Sequence, residues 1–303
     1  MCAAVTNTTA SFTTVPAPPH TRFGPVRRFA QIDSTNRYLL DEARAGAAEG
    51  AVAVADFQSA GRGRLGRRWE APAGSNLLVS VLLRPALCTE ELHLCTVAVA
   101  LAAAAACERG AGVVPGLKWP NDLMVGGRKL GGILAEALPT GTGPGRTNPA
   151  VVVGLGLNVG WSPPDGTPGL EHGGAATSGA EDPATSGPAP LLLVATSLCR
   201  ETGSQPAPAP APALEPVALL GLVLEELEAR LVDLADREGR RRLASEYRRR
   251  CDTVGKTVRV SLAGERFTGT ATDITVEGHL IVDVGSCLRT VSAGDVVHLR
   301  DPG

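Results

Sequence analysis

No sign of charge dominates this chain: 29 Lys and Arg stand against 31 Asp and Glu, for a formal net charge of −2. Without a basic excess there is no electrostatic footprint for an extended nucleic acid or an anionic membrane surface. The seven cysteines include no C-x-x-C pair and no nearby histidine, and the five histidines show no zinc spacing, which excludes the common zinc frameworks. Such an odd set reads as reduced, mostly buried thiols in a cytoplasmic protein. No cation precedes Arg22 and no continuous apolar run occupies the N-terminus, so no secretory signal is expected. The longest apolar stretch, 94–107, has only 14 residues and is rich in alanine. That is too short to span a bilayer and suits a buried helix in a soluble chain with no membrane partner. Lysine is also scarce: of the 29 cations only Lys118, Lys129 and Lys256 are lysines, leaving 26 arginines. Lys118 and Lys129 lie 11 residues apart, either by chance or because a compact ammonium is needed there.

What is present is ordinary for a globular protein, with 44% hydrophobic and 20% charged residues over a length that suits about two domains. Residues 1–22 are rich in Thr, Ala and Pro without periodicity and read as a disordered tail. Asp33, Ser34 and Thr35 form the cap of a helix carrying Leu39, Leu40 and Ala43 and ending near Gly46. Strands are expected over 51–57, 77–83, into Lys118, over 129–137 and over 150–159, with an alanine-rich helix over 90–109 ended by Gly110. Residues 162–213 form a low-complexity insertion, with loops and one short helix, that includes the polyproline-like spacer 206–213. Pro216 opens an amphipathic helix with Leu220, Leu224, Leu227, Leu231 and Leu234 at helical spacing, and a second helix carries Leu243 and Tyr247. From 251 to 303 short alternating segments separated by Gly264, Gly278, Gly285 and Gly294 suggest a small five-stranded barrel. The whole reads as an α+β domain over 23–250 followed by a β module.

The loop GRGRLGRRW (61–69) matches G-x-G-x-x-G through Gly61, Gly63 and Gly66, but it leads within about ten residues to a strand rather than opening a βαβ helix. A nicotinamide enzyme is therefore excluded. The absence of H-R-D and D-F-G excludes a kinase loop, and Arg250 stands where a phosphate loop ending in Gly255, Lys256 and Thr257 needs glycine. The loop interleaves glycines with Arg62, Arg64, Arg67 and Arg68, a pattern that suits either a phosphate-bearing ligand that orders it or a solvated charged hairpin. In KWPND (118–122), Pro120 fixes a turn and Asn121 and Asp122 bond their own backbone, making a rigid corner. Lys129, on a glycine-flanked strand facing that corner, suits a small carboxylate brought up to a phosphate. His93 reads as a packed histidine, and Arg240–Arg242 and Arg248–Arg250 read as a solvated helix face or as a contact for an acidic carrier protein.

Taken together, DSTN (33–36), QSAGRGRLGRRW (58–69), KWPND (118–122), GRKLGGILAE (127–136) and GLGLNV (154–159) resemble biotin protein ligase from about residue 29 to 160, and EYRRRCDTVGKTVRV (246–260) resembles the start of that family's C-terminal β domain. The resemblance implies a class II aminoacyl-tRNA synthetase-like catalytic domain with an SH3-like C-terminal barrel. It implies two steps: biotin attacks the α-phosphate of Mg-ATP to give biotinyl-5′-AMP and pyrophosphate, and the adenylate then acylates a lysine of a biotin carboxyl carrier domain of acetyl-CoA carboxylase or a related carboxylase. By motif, Ser34, Thr35, Asn36 and Gln58 would bind biotin, with Arg62, Gly63, Arg64 and Lys129 lining biotin and the adenylate phosphate. Arg67 and Trp69 would close over the intermediate. Lys118, Asn121, Asp122 and Asn158 would serve the nucleotide, with Asp122 also a magnesium contact. Surface cation, turn cap and strand-end amide are the plainer readings of Lys118, Asp122 and Asn158. Many relatives carry an N-terminal winged helix that represses transcription. Here about 28 residues precede the catalytic pattern, so no specific DNA binding is expected, and the chain is expected to be a monomer or weak homodimer. A lipoate or octanoate protein ligase and a catalytically silent biotin sensor are the alternatives.

Overall fold

The computed structural model describes residues 11–138, 148–161, 195–203 and 215–299. The first sheet comprises Thr13–Val15 (β1), Val26–Phe29 (β2), Val52–Ala55 (β3), Leu77–Leu83 (β4), Gly116–Lys118 (β5), Asp122–Val125 (β6), Arg128–Leu138 (β7) and Ala150–Leu157 (β8). Their order is β1-β2-β3-β4-β8-β7-β6-β5, antiparallel throughout except for the parallel pair β2–β3, so the sheet is mixed.

Both faces of this sheet are covered. On β3, Ala53 and Ala55 point to one face and Val52 and Val54 to the other, as the period of two requires. Helix α1 (Thr35–Arg44), capped by Ser34, lays Leu39, Leu40 and Ala43 against Phe29, Ala53, Ala55, Leu82 and Val152. The opposite face carries α2 (His93–Ala111), covered in turn by α4 (Pro216–Leu234) and α5 (Arg237–Arg250), with α3 (Leu198–Glu201) near the sheet's end. Because it is a central strand with helices over both faces, β4 buries all seven of its residues. The stretch Thr89–Ala111 is long and apolar enough to cross a bilayer, but 72% of its apolar window is buried inside the protein, which makes α2 the core helix. The second sheet, Thr257–Leu262 (β9), Glu265–Ile274 (β10), Leu280–Asp283 (β11), Leu288–Val291 (β12) and Asp295–His298 (β13), is antiparallel in the order β12-β11-β10-β9-β13. Its two edges share no ladder among the described residues.

Three expectations need correction. Residues 13–22 are not tail: β1 pairs with β2, Phe12 packs on Phe29 at 5.6 Å, and Arg22 donates to Glu228 at 2.9–3.1 Å, contacts that composition does not reveal. Helix α2 runs through Gly110 and stops at Gly112, whose φ of +66° supplies the left-handed cap. The corner after Lys118 leads into a strand, β6, that is not among those expected. Residues 1–10 of the expected tail lie outside the described residues, as do 162–194 and 204–213 of the insertion. Residues 195–203 hold the short helix α3, capped by Ser197.

Candidate active site

Helix α1 covers only part of its face of the sheet. Beyond Leu82 and Val152 the same face continues through the cross-strand neighbours Ser80, Gly154 and Leu134, and then Leu78, Gly156, Gly132 and Asp122. Three of these seven are glycines, and the absence of side chains there leaves a depression. A Cβ on Gly154 would lie 2.2 Å from Asn36 Oδ1, and one on Gly156 would lie 2.5 Å from the Trp69 ring, so both positions require glycine. The arginine loop folds over this floor with Trp69 against it.

One wall is the N-terminus of α1. Gln58 Oε1 accepts from the Thr35 amide at 2.8 Å and lies 3.1 Å from its hydroxyl, whose proton is directed to Ser80. Thr35 Oγ1 meets Ser80 Oγ at 2.7 Å, and Ser80 donates to Asn36 Oδ1 at 2.6 Å. Asn36 Nδ2 donates to the Leu134 carbonyl at 3.1 Å and to Glu136 at 2.9 Å, and Glu136 also receives Arg62 at 3.0 Å. Thr35, Asn36 and Ser80 are buried and fully engaged.

The other wall is cationic. Lys129 Nζ lies 2.9 Å from Asp122 Oδ1 and 5.9 Å from the centre of the Trp69 ring, beside Gly132. Arg64 donates to Asn121 Oδ1 at 3.1 Å and to the Gly294 carbonyl at 2.9 Å. Burial pushes the Arg64 guanidinium below its ordinary range, and the charges of Asp122 and Asp295 act in the other direction. Arg67 reaches both oxygens of Asp295 at 3.2–3.3 Å. Arg68 pairs with Glu70 at 3.4 Å. Every guanidinium of the loop therefore has a partner within the chain.

The corner is fixed from behind. Trp119 is fully buried, precedes a cis peptide to Pro120, and donates from its indole to the Gly278 carbonyl at 2.9 Å and from its amide to Thr253 Oγ1 at 3.0 Å. Both amide atoms of the Asn158 side chain are occupied: Oδ1 accepts from Asn76 at 2.9 Å and Nδ2 donates to the Thr196 carbonyl at 2.9 Å. His93 is buried against Trp119 at 6.0 Å, and desolvation lowers it to about 3, in keeping with a packed histidine. The arginines of α5 are largely paired within the chain, Arg240 with Glu91, Arg242 with Asp233, Arg248 with Asp273 and Arg250 with Glu108.

All fourteen residues singled out by motif (Ser34, Thr35, Asn36, Gln58, Arg62, Gly63, Arg64, Arg67, Trp69, Lys118, Asn121, Asp122, Lys129 and Asn158) line this one pocket. Sequence reasoning missed Ser80, Glu136 and Asp295. Ser80 is a lone polar residue in the apolar strand LLVSVLL, a signal that was available. Asp295 belongs to the second sheet, and no local pattern connects it to the loop. Among the described residues no group of three or more His, Cys, Asp or Glu could hold a metal.

Residues 28–158 match the biotin/lipoate A/B protein ligase family, and residues 253–299 match the biotin protein ligase C terminal domain. A biotin--[acetyl-CoA-carboxylase] ligase of Mycobacterium tuberculosis is 37% identical over 281 residues, covering 89% of this chain and 88% of that protein. The bifunctional ligase/repressor BirA of Escherichia coli is 29% identical over 280 residues, covering 90% and 74%. Among solved structures, the biotin protein ligase from Aquifex aeolicus in complex with biotin and ATP is similar in fold, with a TM-score of 0.65 at 22% identity over 91% of this chain and 99% of that one.

Proposed function

The chain belongs to the biotin/lipoate A/B protein ligase family, and on that premise we propose that it is an ATP-dependent biotin protein ligase that charges a lysine of the biotin carboxyl carrier domain of acetyl-CoA carboxylase or a related carboxylase. The observation that carries this reading is the convergence of fourteen motif residues, from five separate stretches of chain, on one pocket with a neutral wall and a cationic wall.

A carboxylate and a phosphate are both anionic, so bringing one onto the other requires their repulsion to be offset where they meet. In this reading Lys129 and Arg64 supply that charge. Ser34, Thr35, Asn36 and Gln58 hold the uncharged rings of biotin, and Gly63 lets the loop backbone approach. Arg62, Arg67 and Trp69 close over the adenylate and keep water from the mixed anhydride. Lys118, Asn121 and Asp122 take the nucleotide side, while Asn158 supports the 195–199 segment behind it. The magnesium ion is read as part of the Mg-ATP substrate. A single carboxylate, Asp122, already neutralised by Lys129, fits a metal carried mainly by phosphate oxygens. No covalent enzyme intermediate is needed, so catalysis is positioning plus electrostatics.

In finer detail, the mixed sheet with its helices is read as class II aminoacyl-tRNA synthetase-like and the second sheet as an SH3-like barrel. The six described cysteines are all free, which supports a reducing, cytoplasmic setting. The near-neutral charge balance supports a protein without an operator-binding role, and a monomer or weak homodimer completes the reading. The test is incubation with ATP, magnesium, biotin and an apo-carrier domain, followed by intact mass. Addition of one biotinyl group to the carrier is expected. Pyrophosphate exchange supported by lipoate or octanoate but not by biotin would move the chain to the other branch of its family, and biotin binding without exchange would make it a silent sensor.

A further inference from the structure

We propose that the turn leading into β13 is the latch of the arginine loop, with Asp295 a positioning residue for Arg67 and the Gly294 carbonyl the anchor of Arg64; this rests on the ligase reading above. Two guanidiniums three residues apart are fastened to two consecutive residues at the entry to β13, Arg64 to the Gly294 carbonyl at 2.9 Å and Arg67 to both Asp295 oxygens at 3.2–3.3 Å. Both sides of this joint are locally rigid. On the loop, the Arg67 amide donates to the Arg64 carbonyl at 3.2 Å and the Gly63 amide to the Arg67 carbonyl at 2.7 Å, closing a tight turn that aims both side chains the same way. On the module, Gly294 has a φ of +155°, and a Cβ there would lie 2.7 Å from Leu262 Cδ2 and 3.1 Å from the Ser261 carbonyl, so the turn is drawn onto β9.

The module itself is tied to the pocket corner through Trp119, and through the Asp252 amide to the Leu117 carbonyl at 2.8 Å. Loop, module and corner therefore close a triangle around the side of the pocket where the adenylate phosphate is read to sit. The wall beside α1 meets the loop at Arg62, through Glu136 at 3.0 Å, and not through Arg64 or Arg67. Loosening the latch should open the phosphate side alone, so the signature is escape of the adenylate with biotin affinity preserved.

The experiment compares wild type, Asp295→Ala and Asp295→Glu in single turnovers with radiolabelled biotin and Mg-ATP. Free biotinyl-AMP, the biotin dissociation constant, the melting temperature and hydrogen exchange over 61–69 are measured for each. Asp295→Ala should release about tenfold more free adenylate, the size expected for one charge-assisted contact, with biotin affinity within about twofold and faster exchange in the loop. Asp295→Glu, which keeps the charge, should recover most of the retention. Wild-type leakage from Asp295→Ala, or equal losses of biotin affinity and melting temperature in both variants, would overturn the latch. Should wild type make no adenylate, the ligase reading fails instead, and loop exchange still decides the latch: unchanged exchange in Asp295→Ala refutes it.

Discussion

The wall beside α1 is built from a buried network of neutral groups that meets the loop at the Glu136–Arg62 pair, whereas the wall opposite is built from guanidiniums and an ammonium whose partners lie on other elements. In the first, Gln58, Thr35, Ser80 and Asn36 form one chain of short hydrogen bonds, and removing any member leaves a buried donor or acceptor unpaired. In the second, Arg64, Arg67 and Lys129 are held by Asn121, Gly294, Asp295 and Asp122, contacts that salt and ligand charge both compete with. Neutral preorganisation suits a ligand part recognised by shape, and ionic preorganisation suits one recognised by charge. The two walls should therefore fail independently.

The largest expected effect breaks the cationic wall outright. Lys129→Glu sets a second carboxylate against Asp122, 2.9 Å from the present ammonium, and opposes both the incoming carboxylate and the phosphate. Biotin-dependent pyrophosphate exchange should fall about a thousandfold or more. Exchange that survives would remove Lys129 from the site. Next in size, Gly154→Ala breaks the neutral wall, because the new Cβ, 2.2 Å from Asn36 Oδ1, must displace that side chain from Ser80. Biotin affinity should weaken about a hundredfold by calorimetry, with a stability loss of about 1–3 kcal/mol. ATP binding that falls in parallel would show that the walls are not separate.

That separation was only half legible in the sequence. The fourteen pocket residues, both long helices and all five C-terminal strands follow from motif and periodicity, because each is encoded within a few neighbouring residues. Ser80 and Glu136 escaped because they act through Asn36 and Arg62, 44 and 74 residues away in the chain. Strand β1 escaped because three residues pair only through contacts made with β2, and Asp295 escaped because it sits 228 residues from the Arg67 it neutralises. Local patterns specify elements, whereas the counter-charges that hold a charged loop still are a property of the assembled fold.

A milder change tests the cationic wall without inverting it. Arg64→Ala removes the guanidinium shared by the Asn121 corner and the Gly294 turn, so free biotinyl-AMP should appear about tenfold faster while biotin affinity stays within about twofold. No increase in free adenylate over wild type would show that Arg64 does not retain it.

The smallest effect sharpens the comparison through pH. His298, on β13, faces Thr253 Oγ1 at 3.0 Å, the same oxygen that accepts the Trp119 amide, so it lies on the seam that fixes the corner. Burial, reinforced by the charges of Lys118 and Lys256 and weakly opposed by Asp122, lowers it from 6.5 to about 4. The native state thus prefers the neutral imidazole, while the unfolded chain takes up a proton below 6.5, so the unfolded state binds more protons between those values. Stability from this group is complete above 6.5 and is lost as pH falls toward 4. His93, lowered to about 3, contributes in the same direction, so the measurement must isolate one site. Between about pH 7.5 and about pH 5, the melting temperature of wild type should fall about 2 °C further than that of His298→Gln. Ser, Thr, Asn and Gln of the neutral wall do not titrate in that interval and add nothing to the slope. Equal slopes in the two proteins would mean that the seam holding the cationic wall is not the pH-sensitive part of the fold.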